Sequence, residues 1–255
     1  MSVNRAGDAS PSQQIAADLR QEIRSGELPE GARIPSTAQL MERYGVAYQT
    51  ARQAVGALRA EGLVDSKTGS GVFVRRRPHM VRLGSDRYAR RVRDRGQAPF
   101  QAEAEAAGMS WSQEVLELGT VPAPAWVAGW YEIEPGADVF VRRRRTWLAD
   151  DPTQLADSYY LPEIVEGTAI TTEDSGPGGS YARLDEAGHR IERFREELQA
   201  RPPTPEEAKG LHLHPGVPVI ELHRIAYSAS GPVEVFRSVL ASDRHTFAYE
   251  FEAPE

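Results

Sequence analysis

Near the amino terminus the apolar positions recur with a helical period. Ile15, Leu19 and Ile23 fall every four residues in SPSQQIAADLRQEIRSGELPEG and form one stripe. Ser10 can cap this helix, Pro11 suits its first turn, Gln13 completes a capping box and Gly26 ends it. ARIPSTAQLMERYG predicts a second, short helix: Ser36 caps it, Gln39 stands three residues on, Leu40 and Tyr44 face inward and Gly45 stops it. A third helix is expected from Tyr48 to Glu61. Ala51, Ala54, Val55 and Leu58 form its buried stripe, while Tyr48, Gln49, Arg52 and Gln53 take the opposite, leading face. Gly62 stops it. LVDSKTGSGVFV then reads as a short strand, a turn with Gly69 and Gly71, and a second strand from Val72 to Val74.

Past residue 100 the pattern changes to runs of strand period. EVLELGTV, DVFVRRRRTWLA and TQLADSYYLP each predict a strand, and GPGGSYARLDEAGH predicts a loop running into a helix. HRIERFREELQAR is expected to be strand-like despite its polarity. TPEEAKGLHL follows as a short helix, and PVIELHRIAYSASGPVEVFRSVLAS as two strands joined at Ser230-Gly231. Mostly strands, hairpin connections and a few helices give an α+β domain on an antiparallel sheet. The expected division is residues 1–75, a basic linker at 76–99, and a second domain at 100–255.

Charge sharpens that division. Residues 1–95 hold 17 Lys/Arg and 10 Asp/Glu, and the remainder 13 and 27, within a chain of net charge −7. A basic head can attract phosphate while an acidic body keeps the chain soluble. The segment from Val74 to Phe100 has nine arginines and two acids. It reads as a hinge, either adding phosphate contacts or pairing with the acidic domain. The chain has no cysteine, no apolar run of membrane length and no apolar core in its first residues. A cytoplasmic protein is expected, without a membrane span or disulfides. His212, His214 and His223 lack a carboxylate or cysteine at ligand spacing, so no metal or cofactor is expected.

From GELPEG to VFV, about fifty residues resemble, in order, the winged helix-turn-helix of the GntR family of bacterial transcription regulators. Ile34-Pro35-Ser36, Gly45-Val46, Thr50, Arg52, Leu58, Glu61-Gly62-Leu63 and Gly69 to Val74 carry the resemblance. It implies a DNA-binding head whose contacts are Ser36, Thr37, Tyr48, Gln49, Thr50, Arg52, Gln53, Lys67, Gly69, Ser70 and Gly71. The chemistry suits those roles. A recognition helix presents its first turns to base edges in the major groove, where Arg pairs with guanine and Gln with adenine. The wing glycines let backbone approach phosphate or the minor groove. Two departures stand out: Ala47-Tyr48 replaces the family's Ser-Arg, and Ala38 replaces an arginine of the second helix. A different operator is expected.

DSYYLP, GGSYARLDEAGH and the stretch from Ala200 to Leu240 resemble the UTRA domain, the effector-sensing half of the HutC branch of that family. This implies a chorismate-lyase-like fold with an effector pocket over the sheet. The family's first pocket arginine falls on Arg144, its second on Thr146, and its glutamate on Glu234. Ser158, Tyr160, Gly178, Gly179, Ser180 and Tyr181 complete the expected effector set. On a strand, Arg142, Arg144 and Thr146 share one face and Arg143 and Arg145 the other. Two alternatives stay open here: Arg144 pairs with Glu234 as a structural ion pair, and GPGGS is only a turn.

The resemblance implies a homodimeric, ligand-responsive regulator, reading as a repressor, with double-stranded operator DNA and a small-molecule effector as partners. The alternatives are a lyase-like enzyme, for which no nucleophile–base–acid set is evident, and a small-molecule-binding protein with a vestigial head.

Overall fold

Two serine caps set where the chain first becomes helical. In the computed structural model, which describes residues 9–67, 69–75, 79–89 and 95–250, the chain divides near residue 77 into two compact units. In the first, α1 (Pro11–Ser25) and α2 (Thr37–Tyr44) each open with a capping box. Ser10 and Ser36 accept from the N–H of Gln13 and Gln39, whose side chains accept from the serine N–H at 2.8 Å. Gly26 and Gly45 end them in the left-handed region. α3 (Tyr48–Ala60) starts after Ala47, which supplies no side-chain cap. Ile15, Leu19, Leu40, Ala51, Ala54 and Leu58 close one core. β1 (Val64–Lys67) and β2 (Gly71–Val74) pair antiparallel as a wing, and Arg33 bridges to Phe73 on its far side. The Arg20–Glu61 ion pair, at 2.6 Å, joins α1 to the end of α3.

The second unit is built on a six-stranded antiparallel sheet in the order β4-β5-β6-β9-β8-β7. Its strands are β4 (Trp111–Pro122), β5 (Asp138–Leu148), β6 (Asp151–Tyr160), β7 (Arg193–Arg201), β8 (Val219–Ser228) and β9 (Gly231–Ala241). Strand alternation sends neighbouring residues to opposite faces. Tyr159 packs with Val139, Val141 and the helix Ala125–Tyr131. Tyr160 packs with Ile164, Ile170 and the helix Gly179–Glu186. β7 is an edge strand, which is why so polar a sequence is still a strand: charge on an exposed edge discourages pairing with another chain.

One expectation is corrected. Residues 76–99 read as a linker, yet β3 (Met80–Leu83) is part of the second unit and pairs in parallel with β10 (His245–Ala248). A 3₁₀ turn follows at Gly84–Tyr88, and Met80, Arg82 and Arg87 are buried. The arginine density concealed this strand, because its partner lies about 165 residues away and two of the arginines point inward. Residues 76–78 and 90–94 of the expected linker lie outside the described residues. The helices Pro99–Ala106, Ala125–Tyr131 and Pro162–Val165 were not anticipated either.

A charged cluster ties the carboxy-terminal strands together. Arg201 of β7 and Arg237 of β9 both bridge Glu207, on the helix Pro205–Gly210, and Glu221 of β8. Hydrogen bonds from Arg201 hold the Glu207 carboxyl down at about 2, against the pull of burial. Burial opposes the charge on Glu221 too, yet Arg201 and Arg237 bring it to about 2.

Two outcomes follow. Depressed carboxyl pKa values stabilise the fold above the ordinary value of 4.5, and that contribution disappears as pH falls toward 2. Thermal melts across this window should therefore show a shallower acid-side loss for Glu207→Gln than for the wild type; parallel curves would show that the cluster is not linked to folding. Ala47→Ser should supply the missing cap of α3 and add about 1 kcal/mol in chemical denaturation. A lower denaturation midpoint would show that Ala47 is held for another reason.

Candidate functional site

The leading face of α3 stands clear of the first unit's core. Its inward residues Ala51, Ala54 and Leu58 are buried, which fixes the helix's rotation and leaves Tyr48, Gln49, Arg52 and Gln53 exposed. Tyr48 is 51% exposed, too open for a packing tyrosine. Thr50 is half-buried behind them. Ser36 spends its hydroxyl on the α2 cap, and Thr37 is half-buried beside it. In the wing, the Lys67 ammonium sits 5.1 Å from the centre of the Phe73 ring. Ser70 is exposed, and its N–H donates to the Lys67 carbonyl. Gly69 takes φ 74° with open space where a side chain would begin. At Gly71 a Cβ would fall 2.6 Å from Nε of Arg33. Arg33 thus lies flat along the wing, a cation that the sequence pattern did not single out. Arg52, Arg33 and Lys67 make no ion pair among the described residues, whereas Arg20 and Arg43 are paired with Glu61 and Glu22.

The second unit holds a cavity of about 470 Å³ over one face of its sheet. Alternation along β5 delivers Arg142, Arg144 and Thr146 to it, while Arg143 and Arg145 turn away to Glu117 and Glu114. Gly178 and the first turn of the helix Gly179–Glu186, through Gly179, Ser180 and Tyr181, close one side. Glu234 lies in the wall. Ser158 and Tyr160 stand behind the lining. Ser158 accepts from Nη2 of Arg144 at 2.6 Å, and Tyr160 donates to Glu234 at 3.0 Å.

Glu234 has a definite ion-pair partner, and it is Arg224, not Arg144. Nη2 of Arg224 donates to Oε2 at 3.0 Å, and Tyr181 donates to the same oxygen at 2.9 Å. Burial pushes the Glu234 carboxyl up, but Arg224 and Arg144 hold it below its ordinary range. Arg224 also donates to the Tyr88 hydroxyl at 3.0 Å and lies 4.0 Å over the Phe236 ring. Burial raises the Tyr181 phenol well above its usual value, so it stays a donor. Arg142 gives its guanidinium to the carbonyls of Ile170, Thr172 and Glu173. Arg82, Arg87 and Gln154 also line the cavity. Sequence reasoning missed Arg224, although the hairpin at Ser230-Gly231 contains the signal. Its register sets Ala226 opposite Glu234, and residue 224 then shares that face. Arg82 and Arg87 carried no comparable signal. His212 and His223 lie against Trp147 and Trp126.

Comparison with known proteins matches both units. Residues 11–74 match the bacterial regulatory proteins of the gntR family, and residues 106–246 match the UTRA domain. An HTH-type transcriptional regulator of Streptomyces coelicolor is 36% identical over 249 residues, 95% of this chain and 93% of the relative. The HTH-type transcriptional repressor NagR of Bacillus subtilis is 25% identical over 251 residues, 98% of each chain. Among solved structures, a GntR-family transcriptional regulator superposes with a TM-score of 0.63 at 26% identity, covering 97% of this chain and 99% of the other. PhnF from Mycobacterium smegmatis gives 0.60 at 22%, covering 94% and 100%, a likeness of fold.

The Arg224–Glu234 pair can be tested directly. Glu234→Gln leaves a buried guanidinium without its counter-charge, and chemical denaturation should show a loss on the order of 3–5 kcal/mol. Adding Arg224→Met should recover much of it. A Glu234→Gln protein as stable as the wild type would show that the pair does not hold this wall.

Proposed function

This chain belongs to the gntR family of bacterial regulatory proteins, and from that membership we propose that it is a cytoplasmic, homodimeric repressor acting by binding rather than by catalysis. It is a ligand-responsive DNA-binding regulator, with a winged helix-turn-helix head and a UTRA domain. Among the described residues no helix is long and apolar enough to cross a membrane. The observation that carries the DNA reading is the front of α3: Tyr48, Gln49, Arg52 and Gln53 are exposed together, with Arg52 in no ion pair among the described residues, over a buried alanine stripe. In a dimer two such helices enter successive major grooves of a near-palindromic operator, about one helical turn apart. Ser36, Thr37 and Thr50 contact the backbone beside them, and Lys67, Gly69, Ser70 and Gly71 bring the wing to the duplex. The repressor sense is supported by the likeness to NagR.

The effector is a small molecule held in the UTRA cavity by Arg144, Thr146, Gly178, Gly179, Ser180, Tyr181 and Glu234, with Ser158 and Tyr160 positioning Arg144 and Glu234. It acts by binding one arrangement of the protein more tightly than the other, and shifts the equilibrium by no more than that difference. Because Tyr48 stands where the family has arginine, the operator differs from the family's common one.

Gel shifts with the DNA upstream of the protein's own gene test this reading. Arg52→Ala should cost about 1–3 kcal/mol of operator affinity and relax the base preference at one position of each half-site. Tyr48→Ala should weaken specific binding and leave non-specific binding nearly intact. If both variants bind like the wild type, the reading face is misassigned; if the wild type finds no sequence-specific site at moderate salt, the regulator reading itself fails.

A further inference from the structure

The cavity of the second unit contains more positive charge than its own acids answer. Among the described residues five guanidiniums line it: Arg82, Arg87, Arg142, Arg144 and Arg224. Arg224 is paired with Glu234 and Arg87 with Glu103. Glu173 and Asp174 also border the space, but they are exposed to solvent. Arg142 is satisfied by three backbone carbonyls, and half-buried Arg144 by Ser158.

Arg82 differs from all of these. It is 1% exposed and faces no carboxylate among the described residues. Among the described residues its one hydrogen bond is to a neutral amide oxygen, Oε1 of Gln154, at a long 3.3 Å. Its Nε is buried without a hydrogen-bond partner among the described residues, as are those of Arg142, Arg144 and Arg224, so the difference lies in the missing carboxylate; the Phe247 ring lies 5.3 Å from its Cζ. An arginine cannot escape burial by losing its proton, and an unanswered buried charge is strongly unfavourable. The position is also telling. Gln154 is the cross-strand partner of Thr146, so the Arg82 charge stands beside the place where β5 turns from arginine to threonine.

We infer that Arg82 is an effector-binding residue, and that the molecule it awaits carries a compact anionic group, a carboxylate or phosphate, bound between Arg82 and Arg144 with the Ser180 hydroxyl as a further donor. The Ser180 oxygen is buried at this place, beside the Tyr160 hydroxyl. The inference rests on the effector reading of the cavity. It adds a consequence: Arg82 lies on β3, whose other sheet contact is the four-residue parallel pairing with β10. An anion held by both Arg82 and Arg144 joins this short strand to the main sheet.

The test uses the full-length protein with inorganic phosphate as the probe, against chloride at equal ionic strength. Phosphate should raise the melting temperature of the wild type in a saturable way. Arg82→Met keeps the length and removes the charge. It should melt no lower than the wild type without phosphate, because no ion pair is broken, and its apparent phosphate Kd should rise about tenfold or more. Arg82→Lys should lie between the two. The inference is overturned if Arg82→Met melts several degrees lower in the absence of phosphate, as a structurally paired arginine would. It is equally overturned if phosphate stabilises the variant as well as the wild type, or if phosphate and chloride act alike on the wild type. Sequence-specific operator binding by the same wild-type sample would keep the regulator reading intact in each of those cases.

Discussion

A guanidinium that enters a protein interior keeps its charge, and the second unit is organised around that constraint. Its sheet draws several arginines toward one face, and each needs an answer. Arg224 finds Glu234, with Tyr181 and Tyr160 completing the carboxylate's shell. Arg142 finds the carbonyls of the 170–173 turn, which places that turn against β5. Arg87 finds Glu103 and so fixes the helix Pro99–Ala106 beside the 3₁₀ turn. Among the described residues Arg82 finds only an amide. The cavity is thus both a consequence of burying charge and a place where that burial is incomplete.

The first unit answers a different demand. Its core is small and made largely of alanine, isoleucine and leucine, so α3 packs closely and its rotation is fixed. That rotation leaves the leading residues outside. Cations in no ion pair among the described residues gather on the same unit: Arg52 on α3, Lys67 on the wing, and Arg33 held against Gly71. The net acidity of the chain belongs to the residues beyond 95, so an acidic protein can carry a basic reading head.

Much of this was legible in the sequence, and the reasons are local. The caps at Ser10 and Ser36, the glycine stops and the 3.6-residue stripes are short-range signals, and the first unit is built from them. The alternation that separates Arg142 and Arg144 from Arg143 and Arg145 is also local. What escaped was non-local. β3 is recognisable only once β10 is known to be its neighbour, and the arginines around it made the segment read as a solvated hinge. The partner of Glu234 required the register of β8 against β9. The helix Ala125–Tyr131 is short and nearly all apolar, so periodicity could not separate it from a strand.

The central claim is that two copies of this head read one stretch of DNA. Hydroxyl-radical footprinting on the DNA upstream of the gene tests it most directly. The account predicts two protected patches related by approximate two-fold symmetry, with centres about one helical turn apart and protection persisting at moderate salt. A single patch, or protection spread evenly along the fragment and lost with added salt, would contradict it.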